Sequence, residues 1–259
     1  MTLATTATAR GALILVPNTL DFGIAGEPPA LTDVLPSAVI RTAARLTHWV
    51  AENAKTTRAF LKRVDAVVPL AQPLQSIEVV ELPRAPKGQR GGAAIDLAPL
   101  LAPALRGIDL GLISEAGLPA VADPGAALVQ AAHVAAIRVV ALPGPSSLLL
   151  ALAASGLNGQ SFAFVGYLPV EAGERAARIR ELEGWSRRAH QTQLMIETPY
   201  RNAALLDALL TTLQPATRLS MSVGLTLPDA HTRTDTIQAW RARPTSPPGD
   251  VPAVFSFLA

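Results

Sequence analysis

The stretch GLISEAGLPAVADPG (111–125) decides the fold, because a short apolar strand ends in it and a helix begins after it. Residues 110–113 are apolar and follow the turn Arg106-Gly107-Ile108-Asp109, which predicts a buried strand. Small and acidic residues come next, and an alanine-rich helix is predicted at 126–136. Ligands of open α/β sheets bind beyond the carboxyl ends of the strands. The stretch is therefore either the floor of a ligand cleft or a plain connection from strand to helix.

Strands and helices alternate on both sides of this stretch. Strands are predicted at 12–16, 47–51, 77–82, 110–113 and 138–142, and the helices between the earlier ones at 39–46, 56–64 and 96–105. Such alternation predicts a doubly wound parallel sheet. A second unit follows, with strands at 162–167, 193–197, 218–225 and 253–257 and helices at 148–154, 172–182 and 202–213. We expect two α/β domains, 1–145 with the parallel sheet and 146–259 with a mixed sheet.

The composition excludes several classes of chemistry. The 259 residues include no cysteine, which removes disulfides, thiolate zinc sites and cysteine nucleophiles. The four histidines lie far apart without the spacing of metal ligands, so we expect no metal. No G-x-S-x-G motif of a serine hydrolase occurs, and no G-x-G-x-x-G of an ordinary dinucleotide site follows the first strand.

Charge and hydropathy bear on partners and location. The formal net charge of +2 is too small to argue for nucleic-acid binding by itself. Five arginines lie within 175–188, but glutamates interrupt them, which is more typical of a solvated helix face. The most apolar stretch, 139–157, contains Pro143 and Pro145, so no membrane span is predicted. The first ten residues lack the apolar segment of a secretory signal, and a cytoplasmic location is the expectation.

Several motifs occur in a fixed order along the chain. They are AENAKTTRAFL (51–61), SEAGLPAVADPG (114–125), LPGPSS (142–147), FAFVGYLP (162–169), GERAARIREL (173–182) and ETPYR (197–201). Over roughly residues 11–230 the chain resembles the tetrapyrrole-methylase superfamily, the class III S-adenosylmethionine-dependent methyltransferases. The greatest likeness is to the branch that contains ribosomal RNA small-subunit methyltransferase I. Ordered motifs at matching spacing are far more specific than any one of them alone.

Two segments depart from the pattern of that branch. The segment after its first strand reads P-T-P-I-G-N-L, whereas this chain has PNTLDFG at 17–23. Its R-E-L-T element appears here as Val223-Gly224-Leu225-Thr226, without the arginine and the glutamate. The glutamate at Glu115 also replaces a common aspartate and reaches one methylene further. The two altered segments predict that the pockets for the methyl acceptor differ more than those for the cofactor.

The resemblance implies that S-adenosylmethionine lies in a cleft between the two domains. The residues implied to line it are Ser114, Glu115, Ala116, Leu118, Pro145, Ser146, Ser147, Gly166, Tyr167, Glu197 and Thr198. Simpler structural roles stay open for some residues there: Asp123 and the two serines could cap helices, and Glu197 could pair with Arg201. Because the methyl group of this cofactor is already activated, the protein mainly supplies position and a dry pocket.

The resemblance also implies a homodimer that methylates a ribose hydroxyl of small-subunit ribosomal RNA in the 30S subunit. A ribose hydroxyl is a poor nucleophile, so a base or a strongly polar setting is expected. The catalytic residues are unknown from sequence, and the candidates are Glu52, Lys55 and Arg58. Cations that could contact RNA phosphates are Arg58, Lys87, Arg90 and Arg175. Two alternatives stay open, a small-molecule methylase of tetrapyrrole type and a catalytically silent relative that keeps the cofactor fold.

Overall fold

The computed structural model describes residues 10–21, 24, 28–83 and 96–259. The chain divides into two compact units. Among the described residues, the first unit holds 10–21, 29–83 and 96–145, and the second holds 24, 28 and 146–259. Within the described part, no helix combines the length and the apolar character needed to cross a membrane.

The first unit is built on a parallel sheet. Its elements are β1 (Ala12–Leu15), α1 (Leu31–Val34), α2 (Ser37–Arg45), β2 (His48–Ala51), α3 (Ala54–Asp65), β3 (Glu78–Glu81), α4 (Ala102–Leu105), β4 (Leu110–Ile113), α5 (Ala126–Val134) and β5 (Arg138–Ala141). The strands pair in the order β3-β2-β4-β1-β5, and every pairing is parallel. The predicted parallel sheet is confirmed.

Helices pack on both faces of this sheet because side chains of a strand alternate between them. In β1, Ile14 joins a core with α2 and α3, whereas Leu13 joins a second core with α4 and α5. Strands that are buried on both faces are continuously apolar, and β4 is buried at all four positions. The first unit is therefore doubly wound, as the alternation of elements predicts.

A glycine inside β4 makes room for a tryptophan on the neighbouring strand. A Cβ atom at Gly111 would lie only 2.6 Å from Cε3 of Trp49. The indole is 1% exposed, and its Nε1 donates a hydrogen bond to the carbonyl oxygen of Leu46 at 3.2 Å. A glycine normally weakens a strand, so this one marks a close approach rather than a turn.

The second unit has a mixed sheet. Its elements are α6 (Ser147–Ser155), β6 (Phe162–Phe164), α7 (Ala172–Ala189), β7 (Thr192–Ile196), α8 (Asn202–Thr212), β8 (Arg218–Val223), β9 (His231–Thr236), α9 (Ile237–Ala242) and β10 (Ala253–Leu258). The strands pair in the order β6-β7-β10-β8-β9, in which only β6 and β7 are parallel. The predicted mixed sheet is confirmed.

Alternate residues of β10 serve two cores in this unit. Phe255 and Phe257 pack with Met221 and Trp240 on one face of the sheet. Val254 packs on the other face, where Leu148 of α6 meets it. The helix α6 thus covers the second face, and its first residues directly follow the loop after β5.

Several predicted elements have different bounds in the structure. The helix predicted at 96–105 is a 3-10 turn at Ala98–Leu101 followed by the short α4. The second residue of each is a proline, Pro99 and Pro103. Proline lacks the N–H that a longer helix would need there. The helix α7 continues to Ala189 instead of ending at 182, because residues 183–189 contain no proline and an isolated glycine, Gly184, is tolerated within a helix. It stops at His190, whose φ is 47°.

The strand β9 and the helix α9 were not predicted. The sequence of β9, HTRTDT, is polar throughout, and an edge strand needs no apolar alternation when one side faces solvent. The strand β6 is shorter than predicted, ending at Phe164, since Gly166 adopts a left-handed φ of 73°. Periodicity of apolar residues gives no signal for either feature.

Candidate functional site

Three segments meet at the carboxyl edge of the parallel sheet. The strand β4 lies between β2 and β1, with Ala51 opposite Ile113 and Leu15 opposite Leu112. The residues that follow these strands therefore come together beyond the same edge. We call residues 17–21, after β1, the first loop and residues 114–125, after β4, the acidic loop.

The first loop and the acidic loop are joined by main-chain and side-chain hydrogen bonds. The N–H of Asn18 donates to the carbonyl oxygen of Gly117 at 2.9 Å, and the N–H of Gly117 donates back to Thr19 at 3.3 Å. The side-chain amide of Asn18 donates to the carbonyl oxygens of Ser114 at 3.2 Å and Glu115 at 3.0 Å. Gly117 has a φ of 65°, which a residue with a Cβ adopts at a cost. The acidic loop is thus held at its start by the first loop.

Glu115 is held from the other side by β2 and α3. A side-chain oxygen of Glu52 accepts the N–H of Glu115 at 3.1 Å. The hydroxyl of Thr56 donates to Oε1 of Glu115 at 3.3 Å. Asn53 caps α3 by accepting the N–H groups of Lys55 and Thr56, which fixes the helix start beside the loop. Of the catalytic candidates, Glu52 therefore lies at the site and orients the main chain of Glu115.

Ser114 carries a buried hydroxyl whose hydrogen-bonding capacity is unused. The residue is 3% exposed, and its Oγ has no hydrogen-bond partner in the part of the chain that the structure describes. Buried polar atoms without partners are uncommon, and each one suggests a water, an ion or a ligand. This hydroxyl fits a group that offers polar atoms at the strand end, as the ribose and amino-acid parts of a sulfonium nucleoside do.

Asp123 lies in the acidic loop, and its pKa is raised. Burial, and then the negative charges of Glu52 and Glu115, raise its pKa to about 7. It does not cap α5, since Gly125 occupies the cap position with a φ of 128° and no side-chain cap is formed. The capping alternative for Asp123 is therefore wrong. A carboxyl that titrates near neutrality is suited to proton transfer.

The backbone of the acidic loop is strained between Ser114 and Asp123. Ala120 and Ala122 adopt φ values of 66° and 62°, in the left-handed region that disfavours residues with a Cβ. Such residues persist where the surroundings fix them, and they cluster at functional sites. The strain accords with a loop shaped for a ligand rather than with a plain connection.

The other two catalytic candidates are placed differently. Lys55 is exposed in the first turn of α3. Arg58 donates to the carbonyl oxygen of Leu74 at 3.4 Å, and Leu74 belongs to the 3-10 turn that precedes β3. The guanidinium of Arg58 is thus engaged near the amino end of β3, away from the carboxyl edge. A catalytic role for Lys55 or Arg58 stays a prediction.

In the second unit, the candidates begin at the start of α6. Pro145 ends the first unit, Ser146 is 9% exposed at the cap position, and Ser147 is the first residue of α6. No side chain caps this helix, so the capping alternative for Ser146 is wrong. Its role in binding stays a prediction.

The remaining candidates of the second unit follow β6 and β7. A Cβ atom added to Gly166 would have no neighbour within 4 Å among the described residues, and Tyr167 is 59% exposed. The carboxylate of Glu197 is buried and forms an ion pair with Arg201 at 2.9 Å. It also accepts the N–H of Thr198 at 2.9 Å. The alternative of a Glu197–Arg201 pair is therefore confirmed, while the cofactor roles of these residues, and of Ala116 and Leu118 in the acidic loop, stay predictions.

The cations expected to contact RNA are only partly described. Lys87 and Arg90 lie outside the described residues. Arg175 donates to the carbonyl oxygen of Val170 at 3.0 Å, and its buried Nε has no partner in the described part of the chain. Further along α7, Arg188 stacks on the exposed Trp185 at 4.7 Å. Within the described residues, no three His, Cys, Asp or Glu side chains are placed to hold one metal ion.

Comparison with known proteins identifies the family. The sequence model of the family of tetrapyrrole (corrin/porphyrin) methylases matches residues 27–240, which are most of the chain. The chain belongs to this family. The motifs that carry the resemblance, from the acidic loop to ETPYR, lie inside the matched range.

Curated members with similar sequences are named ribosomal RNA small subunit methyltransferase I. The one from Mesorhizobium japonicum is 39% identical over 145 residues, which are 56% of this chain and 48% of that protein. The one from Vibrio cholerae is 39% identical over 106 residues, or 41% of this chain and 35% of that protein. The chain thus spans about half or less of the length of these relatives.

Solved structures of family members share the fold. The methyltransferase CobJ superposes with a TM-score of 0.54 at 17% identity, covering 95% of this chain and 93% of that one. Uroporphyrin-III C-methyltransferase from Thermus thermophilus, solved with S-adenosyl homocysteine, gives a TM-score of 0.51 at 19% identity, covering 96% and 97%. At these identities the likeness establishes the α/β architecture.

Sequence reasoning missed the contribution of the first loop. Asn18 and Thr19 are 6% and 1% exposed, although they follow the apolar β1 as two polar residues. Arg63, from the last turn of α3, donates to Thr19 Oγ1 at 3.2 Å and pairs with Asp21 at 3.1 Å. The sequence marks this loop only as a departure from the family pattern. Its contacts depend on residues far apart in the chain, which no local pattern reveals.

Proposed function

We propose that the protein is an S-adenosylmethionine-dependent methyltransferase that modifies a ribose hydroxyl of small-subunit ribosomal RNA. The observation that carries the proposal is the 39% identity to a relative named ribosomal RNA small subunit methyltransferase I, and the ribose hydroxyl is what the family resemblance implies. The family match over residues 27–240 and a family structure solved with S-adenosyl homocysteine support the choice of cofactor.

The acidic loop supplies the local fit to the cofactor. Ser114 offers a buried hydroxyl without a partner in the described chain, and the Ser114–Glu115 main chain is fixed on both sides. The cofactor brings an activated methyl group, so the main task of these residues is to bind and orient it. Polar groups held in advance do not have to reorganise when the ligand arrives.

A ribose hydroxyl must lose its proton as it is methylated, and Asp123 is the group we assign to accept it. Lys55 and Arg58 carry ammonium and guanidinium groups, which donate hydrogen bonds and do not accept them. Glu52 already accepts the N–H of Glu115. Asp123 lies within electrostatic reach of both glutamates, on the loop whose backbone is strained. Replacement by asparagine keeps the shape and removes the base.

Two measurements test the proposal. Isothermal titration with S-adenosylhomocysteine should give a saturable heat, and its absence would favour the silent relative. Transfer of a tritiated methyl group should label 30S subunits and leave a panel of porphyrinoids unlabelled, whereas the opposite result would favour a tetrapyrrole methylase. Asp123→Asn should bind S-adenosylhomocysteine like the wild type but transfer the methyl group at least about a hundredfold more slowly.

We further propose that the chain acts as a homodimer in the cytoplasm. The family resemblance supports the dimer, and a ribosomal substrate of the named relatives supports the location. Sedimentation velocity on the purified chain should give twice the 27.0 kDa mass of the monomer. A monomer at micromolar concentration would contradict the dimer.

A further inference from the structure

Residues 17–23 lack the second proline and the Gly-Asn pair of the family branch. The described part of this segment, the first loop, nevertheless forms several hydrogen bonds with the acidic loop and with α3. Asn18 uses its whole side-chain amide. Nδ2 donates to the carbonyl oxygens of Ser114 and Glu115, at 3.2 and 3.0 Å, and Oδ1 accepts the N–H of Thr19 at 2.9 Å. At 6% exposure, water cannot easily replace these bonds.

The two carbonyl groups that Asn18 holds belong to consecutive peptide planes. A peptide unit is planar, so fixing a carbonyl oxygen also fixes the N–H of the next residue. Asn18 thereby sets the direction of the N–H groups of Glu115 and Ala116. The first of these donates to Glu52. Asn18 and Glu52 thus hold the same peptide from opposite sides.

The first loop is itself anchored to α3. Arg63 donates from Nη1 to Asp21 at 3.1 Å and from Nη2 to the carbonyl oxygen of Pro29 at 2.8 Å. The Asp21 side chain is 8% exposed, and it also accepts the hydroxyl of Thr19. The helix α3 therefore holds the first loop through Arg63, and the first loop holds the acidic loop through Asn18.

We infer that Asn18 is a positioning residue for the cofactor, and that it acts by orienting the Ser114–Glu115 main chain rather than by touching the ligand. The inference rests on the proposed function, because it assigns a role in the same site. It also assigns a role to the altered first loop. Asn18 contacts the acidic loop, while Thr19 and Asp21 bind Arg63 of α3.

A purely structural role makes a different prediction. If Asn18 only stabilised the unit, its replacement would lower the unfolding temperature and leave the affinity of the folded protein unchanged. If Asn18 positions the loop, the folded variant should bind S-adenosylhomocysteine more weakly and exchange the amide protons of Glu115 and Gly117 faster.

The test compares Asn18→Asp, Asn18→Ala and Ile137→Val in the full chain. Aspartate keeps the acceptor for Thr19 but loses both N–H donors and sets a carboxylate against two carbonyl oxygens. Alanine removes the amide without adding charge, so it serves if the aspartate variant fails to fold. Ile137 is buried near the amino end of β5, and its truncation lowers stability without touching either loop.

Titration with S-adenosylhomocysteine is carried out well below each unfolding temperature, with hydrogen exchange measured on the same samples. We expect both Asn18 variants to bind about tenfold more weakly or worse, and Ile137→Val to bind like the wild type. Unchanged affinity in a folded Asn18 variant would overturn the inference alone. A wild type that fails to bind would instead overturn the proposed function, and the inference with it.

Discussion

Gly144 lies so close to Pro17 that a Cβ atom on Gly144 would come within 2.2 Å of the proline Cβ. The loop after β5 and the loop after β1 therefore touch without room for a methyl group. Because Pro17 directly precedes Asn18, the contact also limits where the first loop can lie.

Gly144→Ala should consequently destabilise the first unit by about 1–3 kcal/mol, because main chain must move to admit the methyl group. Urea unfolding measures the loss. Gly159→Ala is the matched control, since no atom lies within 4 Å of the added Cβ there. Equal stability of the two variants would show that the Pro17 contact relaxes freely.

The unused hydroxyl of Ser114 predicts opposite effects with and without ligand. Ser114→Ala should leave the unliganded protein equally stable or slightly more stable, since a buried group without a partner is removed. Its affinity for S-adenosylhomocysteine should fall by about tenfold. Thermal unfolding with and without ligand reports both quantities. The exposed Ser76→Ala serves as the control, and an unaltered affinity in Ser114→Ala would remove this hydroxyl from the binding site.

The raised pKa of Asp123 predicts how stability changes with pH. Between about pH 4 and 7 the folded chain keeps a proton that the unfolded chain has lost, so the free energy of unfolding falls as the pH rises. Asp123→Asn removes this effect. The variant should match the wild type near pH 4 and exceed it at pH 8 by about 1–2 kcal/mol, allowing for solvent screening. Denaturation at pH 4, 6 and 8 tests the trend, which an unchanging difference would contradict.

The pKa of Asp109, in the same unit, is shifted in the opposite direction, so its contribution to stability changes with pH in the opposite sense. Burial alone would raise its pKa, but the hydrogen bonds from Arg45 and Ala12 and the charges of Arg45 and Arg138 outweigh burial and lower it. Its stabilising contribution is therefore present at neutral pH and is lost as the pH falls through the lowered pKa. Asp109→Asn should lose about 1 kcal/mol at pH 7 and progressively less below pH 4. A loss that grows in acid would contradict the assignment.

The ion pair between Arg63 and Asp21 can be tested by a double-mutant cycle. Arg63→Ala leaves a nearly buried carboxylate without its cation and should cost about 2 kcal/mol. Adding Asp21→Asn should recover part of that loss, because the uncompensated charge is gone. Additive losses in the double variant would mean that the two side chains do not interact in solution.

The sequence was sufficient for the five strands of the first sheet and for four of the five strands of the second, because these strands contain apolar runs and their connections carry turn residues. The strand at Leu110–Ile113 and the parallel pairing of its neighbours follow from such patterns, whereas the order of the strands comes from the structure. The polar β9 has no apolar period, and two prolines divide the helix predicted at 96–105. Local patterns could not reveal these features.

The part of the candidate site that directly follows the strands could be predicted from the sequence. Family motifs point to Ser114 and Glu115, and the structure shows both at the carboxyl edge of the first sheet. The contributions of Asn18 and Arg63 could not be found in this way. Each depends on a partner more than forty residues away in the chain, and only folding brings them together.

The left-handed Ala120 and Ala122 have a consequence for laboratory evolution. A single base change converts an alanine codon to a glycine codon, and glycine accepts these dihedral angles without the crowding of a Cβ. Screens for tolerance to heat should therefore recover glycine at these two positions repeatedly. The rise in unfolding temperature of the recovered variants would measure the cost of the left-handed alanines.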